Sequence, residues 1–349
     1  MLKVVLLTMV SVLLAGCASE NPPGCGRFSD AGPYVAGVRT LDIDGLLVEV
    51  WYPAESSAAS MPADVFDMRD ALPEAMRDQI GDEEPTRFAT LARRGEPEAE
   101  GSFPLVIFSH GLGGFRQQSS FLTAHLATWG FVVAAPEHSE RNLATVLSNG
   151  ELSDQGVPQI RATLDALRDR PNVDATRIGL MGHSAGGGAI AALVDDPSFG
   201  AVVWVSLASI AAPRAEVPGL VMGGDNDQIA VPETMLRTYE DIEHAAKRYV
   251  SIEGAGHLAF SDICLIGRER GGVLQIARDA GLEISELVVT LATDGCGPED
   301  LPPELAWPVI RHFTTAMMRT HLRETPPDGL EPDAGACFDG LVTTDRSAS

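Results

Sequence analysis

Residues 177–187 read Arg-Ile-Gly-Leu-Met-Gly-His-Ser-Ala-Gly-Gly, and the reading of this stretch decides the fold. The apolar run 178–181 predicts a short buried strand. It ends abruptly at Gly182-His183-Ser184-Ala185-Gly186, after which Ala189-Ile190-Ala191-Ala192-Leu193 has helical character. Strand, sharp turn and helix put Ser184 at the apex of a nucleophile elbow, whose tight backbone admits only small residues on both flanks of the serine. Gly182 and Gly186 stand at those two positions, and Gly187 and Gly188 relieve the first helical turn. Ser184 is the candidate nucleophile.

Outward from the elbow, strand and helix patterns alternate. Strands are expected at 105–109, 131–135, 178–181, 201–205, 220–222 and 249–252, and helices at 117–129, 158–169, 187–194 and 232–246. The strand runs are short and mostly apolar, as parallel strands covered on both faces should be. Residues 35–53 alternate and read as opening strands, and 307–322 reads as a closing helix. The expectation is an α/β fold with a mostly parallel central sheet flanked by helices, over 33–325.

Two segments break the pattern. Residues 54–103 are acidic, carry Pro62, Pro73, Pro85 and Pro97, and include an amphipathic piece near 68–80. Residues 258–305 hold two helical patterns and a Pro-rich exit. Both are expected as insertions that decide which substrate reaches the serine, the second as a cap. The tail, 326–349, is Pro/Asp-rich and expected to be loose apart from Cys337. The sequence carries neither an internal repeat nor a dinucleotide-binding fingerprint.

A serine that transfers acyl groups needs a base, a carboxylate to orient that base, and N–H donors for the oxyanion. In α/β-hydrolases these follow in the order Ser, Asp or Glu, His. Of the four histidines after Ser184, His244, His312 and His321 fall in helical patterns. His257, in Gly254-Ala255-Gly256-His257, sits in a Gly-rich loop after a strand and is the expected base. The acid belongs in the loop 223–232, where Asp227 is preferred to Asp225 because it stands directly before the turn that starts the next helix. Asp195 and Asp196 come too early. The oxyanion donors are expected to be the backbone N–H groups of Ala185 and of Leu112, in the loop Ser109-His110-Gly111-Leu112-Gly113-Gly114. His110 and His183 read as structural. Glu137 and His138, just past a strand, are expected to face the same cleft, with His138 a candidate substrate contact.

Bulk properties narrow the partners. The net charge of −24 over 349 residues argues against nucleic acid and against adsorption on anionic lipid, and leaves neutral or zwitterionic esters open. The chain opens with Met1-Leu2-Lys3 and an apolar run over 4–15, suited to a signal peptide and too short to span a bilayer. Leu14-Ala15-Gly16-Cys17 resembles the lipobox of bacterial lipoproteins, which implies a signal peptide over 1–16 and diacylation of Cys17 as the mature N-terminus. An ordinary secretory signal is the alternative. Ala18 in place of Asp points to the outer membrane, with 17–32 as a tether. In an oxidising compartment the four remaining cysteines can pair in three ways. Cys264–Cys296 and Cys25–Cys337 are favoured, one clipping an insertion and the other tying the chain ends. With C-x-x-C spacing lacking, a zinc site is not expected, and the chemistry calls for no cofactor.

Residues 104–141, from Pro-Leu-Val-Ile-Phe-Ser-His-Gly-Leu-Gly-Gly to Ala-Ala-Pro-Glu-His-Ser-Glu-Arg, resemble the platelet-activating-factor acetylhydrolase family. They are also similar to the dienelactone-hydrolase-like and cutinase-type hydrolases of the same α/β-hydrolase fold, as is Val50-Trp51-Tyr52-Pro53. The resemblance extends over 35–257 and the closing helix. It implies Ser184 as nucleophile, His257 as base and Leu112 and Ala185 as oxyanion donors. Where eukaryotic acetylhydrolases take their acid, this chain has Ser206-Leu207-Ala208-Ser209, so the acid matches the cutinase-type position at Asp227. Ser184 also departs from the cysteine of dienelactone hydrolases, and 258–305 has no counterpart in compact cutinases. The expected protein is a monomeric, lipid-anchored serine esterase acting on small or lipid-like carboxylic esters through an acyl-enzyme. Its rivals are a polyester hydrolase, a serine peptidase and a non-catalytic envelope-binding lipoprotein.

Overall fold

The computed structural model describes residues 25–347, except 83, 149, 151, 154, 155, 212 and 215. Cys17, the signal segment and the first half of the tether lie outside the described residues.

The opening run forms a hairpin, β1 (Val35–Ile43) and β2 (Leu46–Ala54). The first insertion follows, with β3 (Val65–Asp67), α1 (Glu74–Arg77), β4 (Arg87–Ala89) and β5 (Arg93–Arg94). The alternation then runs β6 (Phe103–Ser109), α2 (Ser120–Thr128), β7 (Val132–Pro136), α3 (Leu143–Leu147), α4 (Gly156–Leu167) and β8 (Val173–His183). It continues with α5 (Ala185–Val194), β9 (Ala201–Leu207), β10 (Gly219–Gly224), α6 (Pro232–Glu240) and β11 (Lys247–Ile252). The second insertion carries α7 (Gly272–Asp279) and α8 (Glu286–Thr293), and the chain closes with α9 (Pro303–Leu322) and β12 (Val342–Ser347).

One sheet collects ten of the strands in the order β12-β11-β10-β9-β8-β6-β7-β2-β1-β5. Its centre, from β11 to β7, is parallel, and β2 and β12 join antiparallel at either side. The alternation within β6 explains the layering. Val106 and Phe108 face the core beneath α2 and α9, whereas Leu105 and Ile107 face the core beneath α4, α5 and α6. Every residue of β6 is buried. On α4, Ile160, Leu164 and Leu167 recur at helical spacing and are all buried. Each such side chain contributes about 1.5–3 kcal/mol by leaving water.

Both chain ends depart from expectation. The tail is not loose: β12 extends the sheet beside β11, and the physical cause is Arg248. This guanidinium is buried and takes its partners from the tail, with Nε at 2.7 Å from Asp345 Oδ1 and Nη1 and Nη2 on the carbonyls of Leu330 and Glu331 at 2.7 and 2.9 Å. At the other end, residues 25–32 pack on the domain instead of tethering it. Phe28 is buried edge-on to Trp129, and its carbonyl accepts from His125 Nε2 at 2.8 Å. The Cys25–Cys337 disulfide joins the two ends, and Cys264–Cys296 closes the second insertion.

Candidate active site

β8 delivers Ser184 to the carboxyl edge of the parallel sheet. Ser184 has φ 53° and ψ −123°, a left-handed backbone that costs a non-glycine residue about 1–3 kcal/mol. Two close approaches impose it. A Cβ on Gly182 would stand 2.6 Å from the Gly186 carbonyl carbon, and one on Gly186 would collide with the Ser109 carbonyl of β6. Ser184 is the N-cap of α5, so the N–H of Ala185, its first residue, is free of the intrahelical ladder and available to an anion.

The loop after β6 lies against the serine: a Cβ on Gly111 would meet Ser184 Cβ at 3.0 Å. Leu112 follows it and lines the same cavity as Ser184 and His257. Residues 141–143 clamp this loop, with Gly113 N–H on the Arg141 carbonyl at 2.8 Å and Leu143 N–H on the Gly114 carbonyl at 2.9 Å. Beneath it, Arg141 Nη2 donates to Ser109 Oγ at 2.8 Å and to the His110 carbonyl at 3.0 Å. Glu49, inside the β2 run, is wholly buried. Its carboxylate holds Arg94 at 2.7 Å and Arg116 at 3.3 Å, tying the first insertion and the end of the oxyanion loop to the sheet.

The expected acid and base meet. His257 lies in a 3-10 turn after β11 and is buried; its Nδ1 is 2.9 Å from Asp227 Oδ2. Asp227 is also buried, and its Oδ1 accepts the N–H groups of Ile229 at 2.9 Å and Ala230 at 2.6 Å. These fix the carboxylate so that Nδ1 carries the proton and Nε2 is left as the proton acceptor. Asp225 instead accepts the Gly254 N–H at 2.6 Å and braces the turn before His257.

The remaining histidines are structural. His183 accepts from Gln118 at Nδ1, 3.0 Å away, and donates from Nε2 to the His257 carbonyl at 3.2 Å. Burial, reinforced by the neighbouring His257, lowers its pKa to about 3, so the ring stays neutral. His110 is likewise lowered to about 3 by burial and by Arg141. His138 does not face the cavity, contrary to expectation. It is buried behind the oxyanion loop, with Nε2 on Ser109 Oγ at 2.8 Å and Nδ1 on Gln159, and its backbone N–H donates to His110. Burial holds it neutral too. Glu137 is spent on Arg116, whose N–H and Nη1 it accepts at 3.1 Å. Residues past β7 turn back under the loop, because the polar groups buried there need partners.

Over the serine opens a cavity with a solvent-facing mouth. Both insertions wall it: Met68, Leu72, Met76 and Ile80 from the first, and Val273, Ile276, Val288 and Leu291 from the second, with Val146 and Leu147 of α3 between them. Among its described lining residues none is Phe, Tyr or Trp. Arg270–Glu84, at 3.5 Å, and the packing of Phe66 on Phe115 join the insertions to each other and to the oxyanion loop. Among the described residues no group of three or more His, Cys, Asp or Glu is placed to hold a metal ion, and no helix is long and apolar enough to cross a membrane.

Sequence reasoning assigned no role to Gln118, Arg141, Glu49 and Asp294, which hold the reactive groups and their loops in place. For Glu49 a signal existed, a carboxylate inside an otherwise apolar run. Asp294 gave none.

In sequence and in fold the chain is similar to known ester hydrolases. The family model for platelet-activating factor acetylhydrolase, isoform II, matches residues 48–155. The bis(hydroxyethyl) terephthalate hydrolase of Streptomyces coelicolor is 30% identical over 172 residues, 46% of this chain and 52% of that protein. Cutinase 2 of Thermobifida cellulosilytica is 28% identical over 178 residues, 47% of this chain and 63% of that one. The chain thus spans about half the length, or somewhat more, of the curated relatives it matches. A ferulic acid esterase from Streptomyces cinnamoneus superposes with a TM-score of 0.64 at 22% identity, over 91% of this chain and 99% of that one. Ser184 on its elbow, the parallel sheet and this superposition lead to one architecture: the protein has the α/β-hydrolase fold.

Proposed function

We propose that the protein is a serine hydrolase of carboxylic esters with aliphatic, lipid-like chains. The observation that carries this is the opening of Ser184, Leu112 and the Asp227-paired His257 into one aliphatic cavity. Ser184 Oγ attacks the ester carbonyl while His257 Nε2 takes its proton. The N–H groups of Leu112 and Ala185 hold the oxyanion, and Asp227 stabilises the imidazolium. Collapse breaks the bond to the alcohol oxygen, which leaves with the proton from His257, and Ser184 is acylated. Water then attacks the acyl-enzyme, gives its proton to His257, and releases the carboxylic acid and free serine.

The wall chemistry supports an alkyl chain over an aromatic acid or a polymer. Methionine, leucine, isoleucine and valine side chains accommodate flexible methylene chains by burial alone, and none of the described lining residues is a Phe, Tyr or Trp that would stack an aryl acid. Both insertions wall the site, where a polymer would need an open groove. We place the protein in the bacterial envelope, anchored at the outer membrane through a lipid on Cys17, on the strength of Leu14-Ala15-Gly16-Cys17 and Ala18.

The test is labelling with a fluorophosphonate probe and turnover of p-nitrophenyl esters of increasing chain length, beside Ser184→Ala. Labelling and turnover lost in Ser184→Ala, with a preference for alkyl over aryl acyl groups, are expected. Labelling that persists in Ser184→Ala refutes the assignment.

A further inference from the structure

The second insertion is rooted in the catalytic machinery itself. It leaves the fold just after His257 and returns at Asp294, and Cys264–Cys296 staples the two roots together. At the returning root Asp294 makes a double contact. Its Oδ1 accepts the backbone N–H of His257 at 2.9 Å, and its Oδ2 accepts the backbone N–H of Gln228, next to Asp227, at 2.9 Å. Its own carbonyl accepts Leu258 N–H at 2.8 Å. Asp300 secures the clamp: Oδ2 accepts the N–H groups of Gly295 and Gly297, and Oδ1 accepts Asn226 Nδ2 at 2.6 Å.

We infer that Asp294 is a positioning residue that fixes the spacing between acid and base, so that the cap belongs to the triad's framework as well as to the substrate chamber. The base is otherwise held at its ring by Asp227 and at its carbonyl by His183. Its N–H is the remaining main-chain handle, and Asp294 holds it. One carboxylate bridging the two loops resists their separation directly, because each of its oxygens is committed to a different loop. Catalysis by an oriented base is sensitive to such spacing: a displacement of about 1 Å costs on the order of a hundredfold in rate.

This inference rests on the serine-hydrolase reading. It predicts opposite kinetic signatures from two residues three apart. Leu291, whose Cδ1 lies 3.5 Å from a Cβ built on Gly113, lines the chamber that would receive the substrate, whereas the Asp294 carboxylate is bonded to the loops of the acid and base.

The experiment measures kcat, KM and the rate of fluorophosphonate labelling on the full, disulfide-bonded chain for Asp294→Ala, Asp294→Asn and Leu291→Ala, with melting followed by circular dichroism. Asp294→Ala should lower kcat and the labelling rate together by roughly ten- to a hundredfold, with KM within about twofold. Asp294→Asn keeps one acceptor oxygen and should recover part of the loss. Leu291→Ala should act on KM. Asp294→Ala that folds with wild-type kcat overturns the inference, as does a loss confined to KM or one that simply follows melting temperature. If Asp294→Ala does not fold, Asp294→Asn decides by the same kcat criterion. Ser184→Ala run alongside separates the two readings: its continued labelling defeats the serine mechanism, whereas full activity in the Asp294 variants defeats the clamp alone.

Discussion

Replacing Asp262 with asparagine probes the electrostatics directly beneath the site. Asp262 lies two residues past the His257–Phe260 turn, at the start of the next one, and is wholly buried. Its Oδ1 accepts Phe121 N–H at 3.1 Å, and its own N–H donates to the Gln118 carbonyl at 2.7 Å, so it docks the base-bearing turn on the start of α2. Burial pushes its pKa from 3.8 up to about 8, offset only in part by backbone donors and Arg311. The sign follows from proton counting. Above pH 3.8 the unfolded chain releases a proton that the folded chain keeps, so stability falls as pH rises towards about 8 and levels off beyond. Within that window each pH unit costs about 1.4 kcal/mol, which makes about 4 kcal/mol between pH 5 and pH 8. Asp262→Asn keeps an acceptor for Phe121 and has no proton to lose. Urea unfolding of both proteins across this range, followed by circular dichroism with disulfides intact, isolates the effect, because the other titrating groups cancel in the difference. The variant should gain about 4 kcal/mol on the parent from pH 5 to pH 8. Parallel stability curves would refute a buried neutral acid at this position.

Three further outcomes are expected. Asp227→Asn should lower kcat by roughly 10³–10⁴-fold because the imidazole loses its orienting charge, whereas Asp225→Asn, which touches only Gly254 N–H, should stay within a few-fold in the same p-nitrophenyl ester assay. Gly186→Ala drives a Cβ into the Ser109 and His110 carbonyls, so elbow and oxyanion loop cannot both keep their places; a stability loss of roughly 3 kcal/mol or failure to fold should appear in thermal melts. Arg248→Met leaves Asp345 and two tail carbonyls without their donor and should cost about 3–5 kcal/mol, read as early protease cleavage between 326 and 347.

The divide between what was legible and what was not follows interaction range. The elbow, the β6 loop and the strand–helix alternation are written in neighbouring residues, since backbone strain, small flanking side chains and hydrophobic period all act within a few positions. The order Ser184, Asp227, His257 was readable because each residue stands in a loop directly after a strand of one parallel sheet, and such loops gather at the sheet's carboxyl edge. His138 misled for the same local reason. It too follows a strand, but Ser109 and Gln159 turn its ring beneath the loop, and neither is near it in sequence. The tail misled because its composition is that of a loose end, while Arg248, buried nearly a hundred residues earlier, demanded partners.

By itself, then, the sequence determined the architecture and pointed to the candidate serine, base and acid, because those choices rest on local backbone geometry and on the order of loops along the chain. Tertiary structure alone decided what holds them: Glu49 with Arg94, Arg141 beneath the oxyanion loop, Asp294 across the acid and base loops, and two insertions meeting as one aliphatic wall. These are buried polar groups and apolar faces paired at long range, and their partners exist only once the chain has folded.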